Sequence, residues 1–137
     1  MAAEIKDVRA IAKGVTQAPR KVSLVASLVR GRTVADALVI LSHTPKRAAL
    51  PLVKAINSAK ANAVTTHGLS EKTLIIKSLQ VTAGPRLKRF RPAAMGRALP
   101  FQKKTTHIHV VVAGEVKPKK PATAATKVVK DTSKESK

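Results

Sequence analysis

One segment of the chain, GPRLKRFRPAAMGRALPFQKK over residues 84–104, concentrates the side chains that could do chemistry. It contains no acid, and it holds both aromatic residues of the protein, Phe90 and Phe101. Its seven basic residues are Arg86, Lys88, Arg89, Arg91, Arg97, Lys103 and Lys104. Basic side chains bind phosphates, and phenylalanine rings and arginine planes stack on unpaired bases. The segment therefore has the composition of a site for irregular RNA.

Glycines and prolines shape the same segment. Pro85, Pro92 and Pro100 restrict the backbone, whereas Gly84 and Gly96 permit a positive φ and close approach to another backbone. The segment is too long for an ordinary hairpin loop, and it lacks helical periodicity. The alternative interpretation is a solvated basic loop without a fixed partner, and the two phenylalanines argue against it.

Two predicted strands flank the segment. TLIIKSLQVTA over residues 73–83 is rich in β-branched residues, and residues 107–112 alternate cleanly between two faces. If both strands continue outward as a ribbon, ten residues at ~3.3 Å each reach ~30 Å beyond the domain. An isolated ribbon is marginal in water, and its positive charges repel one another. We therefore expect residues 84–104 to order on RNA.

The rest of the chain predicts one further strand and three helices. The strand covers residues 4–13, and the first helix runs from Pro19 to Gly31. A capping box opens the second helix, which runs from Thr33 to His43. The third helix runs from Thr44 to about Val64.

A proline in the third helix and basic residues at the ends of the first helix lead to two further predictions. Pro51 lies early in the third helix, where it should kink the first turns or delay the start of the helix. A second basic patch lies at the two ends of the first helix, and its alternative interpretation is a solvated face. The patch comprises Arg20, Lys21, Arg30 and Arg32.

The whole chain is basic. Its 137 residues carry 27 Lys or Arg against seven Asp or Glu, which gives a formal net charge of +20. Such a chain repels itself unless a polyanion neutralises it, so the expected partner is nucleic acid. Apolar residues make up 44% of the chain, which is enough for a small aliphatic core. The absence of cysteine excludes disulfides, thiolate metal sites and cysteine nucleophiles.

The sequence contains no catalytic motif. It has neither a Gly-x-x-x-x-Gly-Lys phosphate loop nor a Gly-x-Ser-x-Gly turn, and acids such as Asp7, Asp36 and Glu71 are scattered. His107 and His109 share one face of a predicted strand, but no acid lies close to them, and we expect an exposed pair rather than a zinc site. The prediction is a protein that is not an enzyme and that holds no cofactor or metal.

The two ends of the chain predict its cellular class. The start, MAAEIKDVRA, has an early acid and lacks the apolar core of a secretion signal, and no later window offers about 18 uncharged apolar residues. We expect a soluble, non-secreted protein without a membrane partner. Residues 115–137 are rich in Lys, Pro, Ala, Ser and Thr, which is typical of a disordered basic tail. The tail either solubilises the protein or contacts RNA.

Three stretches of the chain resemble a known family. They are QAPRKVSLVASLVRGRTVADALVIL, KRAALPLVKAINSAKANA and GPRLKRFRPAAMGRALPFQKKTTHIHVVV. In the last stretch, Gly96 and Arg97 are followed by nine residues and then by His107 and aliphatic residues. With this spacing, the sequence resembles the large ribosomal subunit proteins of the L-twenty-two family over nearly the whole chain before the tail.

The resemblance implies an α+β fold. A small domain of three helices packed on a short antiparallel sheet would occupy residues 1–114, with a long extended β-hairpin arm at residues 84–104 and a disordered tail at residues 115–137. In the arm, the resemblance places four phosphate-binding residues in the tip region and three in the returning strand. The first group is Arg86, Lys88, Arg89 and Arg91, and the second is Arg97, Lys103 and Lys104. Phe90 would stack on bases.

The resemblance also implies a function. The protein would be a structural constituent of the large subunit of cytoplasmic ribosomes that binds and stabilises large-subunit rRNA and supports subunit assembly and translation. Its arm would thread through rRNA and line the nascent-peptide exit tunnel. The implied partners are rRNA, neighbouring large-subunit proteins and, at the tip, the nascent peptide, with no small-molecule substrate. The sequence departs from the family pattern at Ala93, where members commonly have Arg, and at Pro51, where they keep an unbroken helix.

Composition alone permits two other classes. An architectural DNA-binding protein could combine a basic β-arm with a Lys/Pro/Ala tail. A membrane-surface protein would require a basic amphipathic helix, and the predicted helices carry only modest charge.

Overall fold

A three-stranded antiparallel sheet with strand order β1-β3-β2 organises the molecule. The computed structural model describes residues 5–116, so nearly all of the predicted tail lies outside the described residues. The strands are β1 Ile5–Val15, β2 Ile75–Pro92 and β3 Ala98–Glu115; the helices are α1 Pro19–Ala26, α2 Val34–His43 and α3 Ala49–Thr65. The predicted α+β class, with three helices, a short antiparallel sheet and a long hairpin, is confirmed.

The central strand β3 carries the sheet side of the core. Ile108, Val110 and Val112 are completely buried, whereas the residues between them are half-buried on the opposite face. Side chains alternate between the faces of a strand, so these three residues face the helices. Val112 pairs with Val8 of β1 on one side and with Ile76 of β2 on the other.

The core is aliphatic, as the composition predicts. Leu41 of α2 and Leu52 and Ile56 of α3 are almost wholly buried. Small residues on the sheet-facing side of α3, such as Ala59 and Ala63, are also buried and let the helix approach the sheet closely. Within residues 5–116, none of the helices combines the length and hydrophobicity needed to cross a membrane.

The first two helices test the local signals in the sequence. Thr33 caps α2, since its hydroxyl oxygen accepts a hydrogen bond from the Asp36 N–H at 3.2 Å. Helix α1 is shorter than predicted and ends at Ala26. The Ser27 hydroxyl donates to the Leu24 carbonyl and competes with the helical pattern, and the next five residues continue as turns up to Gly31.

Helix α3 begins later than predicted, at Ala49 instead of Thr44. Pro51 is the third residue of this helix. A backbone N–H in the first turn has no acceptor within the helix, so a proline there costs no hydrogen bond. The expected delay of the helix start is therefore observed, and the departure from the family pattern at Pro51 leaves the remainder of α3 intact.

Strands β2 and β3 continue past the sheet as a two-stranded ribbon. A short 3₁₀ helix at Glu71–Thr73 replaces the predicted start of β2, which begins at Ile75. Beyond Gly84 the two strands pair with each other alone, and none of the residues 85–104 is buried. At ~3.3 Å per residue, residues 84–93 span about 30 Å. We refer to residues 84–104 as the arm.

The arm contributes no buried residue, so we expect the domain to fold without it. A deletion of residues 86–97 should retain a cooperative unfolding transition in thermal or urea melts. The matched control is Ile56→Ala, which should lower the free energy of unfolding by about 2 to 5 kcal/mol because it opens a cavity in the core. Loss of the cooperative transition in the deletion variant would show that the arm belongs to the folding unit.

Candidate nucleic-acid interface

The two faces of the arm carry different side chains, because alternate residues of a strand point to opposite sides. Arg86 pairs with Lys104, and the ladder runs regularly to Pro92 paired with Ala98. One face carries Arg86, Lys88, Phe90 and Lys104. The other carries Leu87, Arg89, Arg91, Phe101 and Lys103. Arg86 therefore lies at the base of the arm, and its expected place in the tip region is wrong.

Like charges face each other across the base of the arm. Arg86 and Lys104 are directly opposite, an arrangement that destabilises a strand pair. The arm contains no acid, and the polar side-chain partner of Arg86 is Gln102, whose Oε1 lies 3.4 Å from Nη1. An anion bound between these cations would relieve the repulsion. That the arm orders on RNA stays a prediction.

Both phenylalanines are available as stacking surfaces. Phe90 is 71% exposed and Phe101 is 43% exposed, and they lie on opposite faces of the ribbon. The Arg91 guanidinium carbon lies 5.7 Å from the centre of the Phe101 ring, within cation–π distance. Each face of the arm thus combines cations with an aromatic ring, the combination that binds phosphates and unpaired bases.

The tip of the arm is a tight turn of the type I′ class. The Arg97 N–H donates to the Ala94 carbonyl, and the Ala93 N–H donates to the Arg97 carbonyl at 2.8 Å. Both central residues of the turn have a positive φ, 58° at Met95 and 71° at Gly96. This conformation costs a residue other than glycine about 1 to 2 kcal/mol. The Met95 side chain is 93% exposed at the far end of the arm.

Three consecutive residues of β3 hold the root of the arm to three different segments. The Thr105 hydroxyl donates to the Pro85 carbonyl of β2, and the Thr106 hydroxyl donates to the Gln17 carbonyl in the β1–α1 loop. Nδ1 of His107 accepts a hydrogen bond from the Gly14 N–H at 3.0 Å. Both strand ladders shift register at this level, so these side-chain bonds attach the arm where regular pairing is interrupted.

The two histidines of β3 lie on the outer face of the sheet and are partly covered by it. His107 and His109 are half-buried, so the expectation of an exposed pair is wrong. Nδ1 of His107 accepts the hydrogen bond from the Gly14 N–H of β1, so this bond connects β1 to the arm root. Among residues 5–116, no three His, Cys, Asp or Glu side chains come together as a metal site would require.

Part of the second basic patch joins the arm at its root. Arg20 lines a cleft of about 220 Å³ together with Arg86 and Lys104. Lys21 lines an adjoining cleft of about 660 Å³, to which Lys104 also belongs. The N-terminal end of α1 therefore presents its cations beside those of the arm.

The other two arginines of the predicted patch have local partners. Nε of Arg30 donates to the Leu79 carbonyl at 2.9 Å, and Nε of Arg32 donates to the Leu28 carbonyl at 2.9 Å. Neither arginine lines the clefts at the arm root. The structure does not assemble the four residues into one patch.

Two cations that the sequence analysis missed also lie at the arm root. Lys46 and Arg47, in the loop between α2 and α3, line the 660 Å³ cleft. The signal in the sequence was a Lys-Arg pair directly after Pro45, in the first turn of the predicted third helix, which the structure shows to be a loop. The arm and this loop are distant along the chain, so their proximity was not visible in the sequence.

Gly84 permits the close packing at the arm root. A Cβ at this position would lie 2.6 Å from Thr105 Oγ1 and 3.2 Å from the His107 ring. We expect Gly84→Ala to lower the free energy of unfolding by about 1 to 3 kcal/mol, because Thr105 cannot rotate away without losing its bond to β2. Urea unfolding measures this, with Thr82→Ala on the exposed part of the strand as control.

A double-mutant cycle tests whether the contact with Thr105 causes the loss of stability in Gly84→Ala. Thr105→Ala removes the clashing oxygen, so the Gly84→Ala/Thr105→Ala variant should lose less stability than the sum of the two single variants. Strict additivity would mean that the contact between residues 84 and 105 is not the source of the effect.

Comparison with known proteins identifies the family of the chain. A family model described as ribosomal protein L22p/L17e matches residues 10–113, which include the whole arm. The large ribosomal subunit protein uL22 of Streptococcus pyogenes serotype M6 is 47% identical over 110 residues, which cover 80% of this chain and 96% of the relative. The family resemblance drawn from the sequence is thereby confirmed, and the chain belongs to the ribosomal protein L22p/L17e family.

Proposed function

We propose that this protein is a structural, non-catalytic constituent of the large subunit of cytoplasmic ribosomes, where it binds and stabilises large-subunit rRNA and supports assembly and translation. The observation that carries the proposal is the arm: seven cations and two exposed phenylalanines, without an acid, on a ribbon that side-chain hydrogen bonds attach to the domain at its root. Membership of a ribosomal protein family supports the identity of the nucleic acid. Neighbouring large-subunit proteins are the expected protein partners.

The binding mechanism is electrostatic, with a contribution from stacking. Lys and Arg side chains that contact phosphates release condensed counterions, which drives association and makes it salt-dependent. Phosphate contacts position a protein without reading base sequence, so the arm recognises the shape of folded rRNA. Phe90 and Phe101 stack on unpaired bases from the two faces of the ribbon.

The same proposal places the arm tip at the wall of the nascent-peptide exit tunnel. The arm separates the tip from the domain by about 30 Å, long enough to pass between RNA segments. The side chain at the very end is Met95, which projects almost fully exposed, with Arg97 next to it in the turn. An almost fully exposed apolar side chain is suited to line a passage for peptides of varied sequence.

The first test compares RNA and DNA binding of the full chain at matched salt. We expect refolded large-subunit rRNA to bind more tightly than duplex DNA. We expect Arg89→Gln/Arg91→Gln to reduce the slope of log K against log salt by about 1.4, at ~0.7 per lost contact. The control is Arg9→Gln/Lys72→Gln, which removes equal charge from outside the arm. Equal affinity for DNA and rRNA would favour the architectural DNA-binding class.

A second test concerns the tunnel. The chain has no cysteine, so Met95→Cys introduces the sole thiol of the protein at the arm tip. After incorporation of this variant into ribosomes that carry a stalled nascent chain, we expect a thiol-directed crosslink between residue 95 and the peptide. Lys72→Cys, at the end of the sheet remote from the arm, should give none. A crosslink from residue 72 but not from residue 95 would refute the placement of the tip.

A further inference from the structure

Three adjoining clefts form a continuous groove at the root of the arm. The largest, of about 660 Å³, shares Ala18 and Lys104 with the cleft of about 220 Å³ beside the arm. On its other side it shares Gln17 and Arg47 with a cleft of about 180 Å³ that reaches Lys54 of α3. We call this the root groove. Its basic residues are Arg20, Lys21, Lys46, Arg47, Lys54, Arg86 and Lys104.

The charge of the root groove is uncompensated. No Asp or Glu lines any of its three clefts, and all seven cations are exposed. Elsewhere in the described part of the chain, two ion pairs neutralise charge: Lys60 with Glu71 and Lys77 with Asp7, each at 2.6 Å. A concave surface lined by one sign of charge concentrates its field and attracts a polyanion.

Gln17 joins the two sides of the root groove. Its side-chain amide donates to the Arg47 carbonyl at 2.9 Å, which holds the loop between α2 and α3 against the β1–α1 loop. The backbone carbonyl of Gln17 accepts a hydrogen bond from the hydroxyl of Thr106 at the arm root. The backbone of the loop that carries Lys46 and Arg47 is therefore connected to the arm root through Gln17.

We propose that the root groove binds the sugar–phosphate backbone of a single RNA strand, which runs from the base of the arm past the start of α1 to the start of α3. This inference rests on the proposed function and adds the loop residues Lys46 and Arg47 to the binding surface. Lys104 and Arg86 belong to both the groove and the arm. One RNA strand can therefore pass from the groove to the arm and remain next to basic side chains throughout. Binding there orients the arm at the point where it leaves the domain.

The salt dependence of rRNA binding tests the charges of the groove. The full chain carrying Lys46→Gln/Arg47→Gln is compared with the wild type and with the matched double variant Arg9→Gln/Lys72→Gln, which has the same net charge. We expect the groove variant to lose about 1.4 from the slope of log K against log salt, at ~0.7 per phosphate contact, and the control to lose little. Thermal melts of both variants should match the wild type.

Tethered hydroxyl-radical probes test whether one strand occupies the groove. Leu50 lines the cleft that reaches α3, and Gln102 lines the largest cleft. Cysteines introduced at these two positions should direct cleavage to one contiguous RNA segment, and a cysteine at Lys72 should not. Cleavage of two unrelated RNA segments would overturn the proposal that a single strand occupies the groove.

The two proposals can fail separately. If the wild type binds rRNA preferentially but the groove variant matches its control, the root groove is a solvated surface and the proposed function still stands. If the wild type shows no preference for rRNA over duplex DNA, the proposed function itself fails.

Discussion

The central strand β3 is hydrogen-bonded to both of its neighbours, and this pairing positions both the helices and the arm. In its second half, β3 pairs with β1 and β2 and buries Ile108, Val110 and Val112 under the helices. In its first half it pairs with β2 alone and becomes one side of the arm. A single strand therefore serves two environments, and the direction in which it leaves the core sets the direction of the arm.

The change between these environments occurs over three residues. Thr105, Thr106 and His107 each bond to a different segment at the level where both ladders shift register. A ribbon with repelling charges gains little stability from its own pairing. The side-chain bonds at its root compensate for the interrupted ladder, and Gly84 leaves the space in which they form. The anchoring of the root therefore sets the position of the tip relative to the domain.

Charge is distributed in keeping with this division. The domain neutralises part of its charge through ion pairs such as Lys77 with Asp7, whereas the arm and the root groove contain no acid. An aliphatic domain core can form in the absence of any partner. The arm and groove instead present cations that only an external polyanion can neutralise, so folding of the domain and neutralisation of its remaining charge depend on different parts of the molecule.

Features that depend only on neighbouring residues were predictable from the amino-acid sequence. Alternation predicted the buried face of β3, the Thr33 capping box predicted the start of α2, and the acid-free run at residues 84–104 predicted the basic hairpin. Contacts between residues that are distant along the chain became visible only in the folded structure. Because the helices fold back over the sheet, Arg20 and Lys21 line the same clefts as Lys104. Lys46 and Arg47 line one of these clefts as well. Arg30 instead donates a hydrogen bond to the Leu79 carbonyl of β2. Periodicity and capping are local properties, but the approach of a loop to an arm some 50 residues away depends on packing that no local pattern encodes.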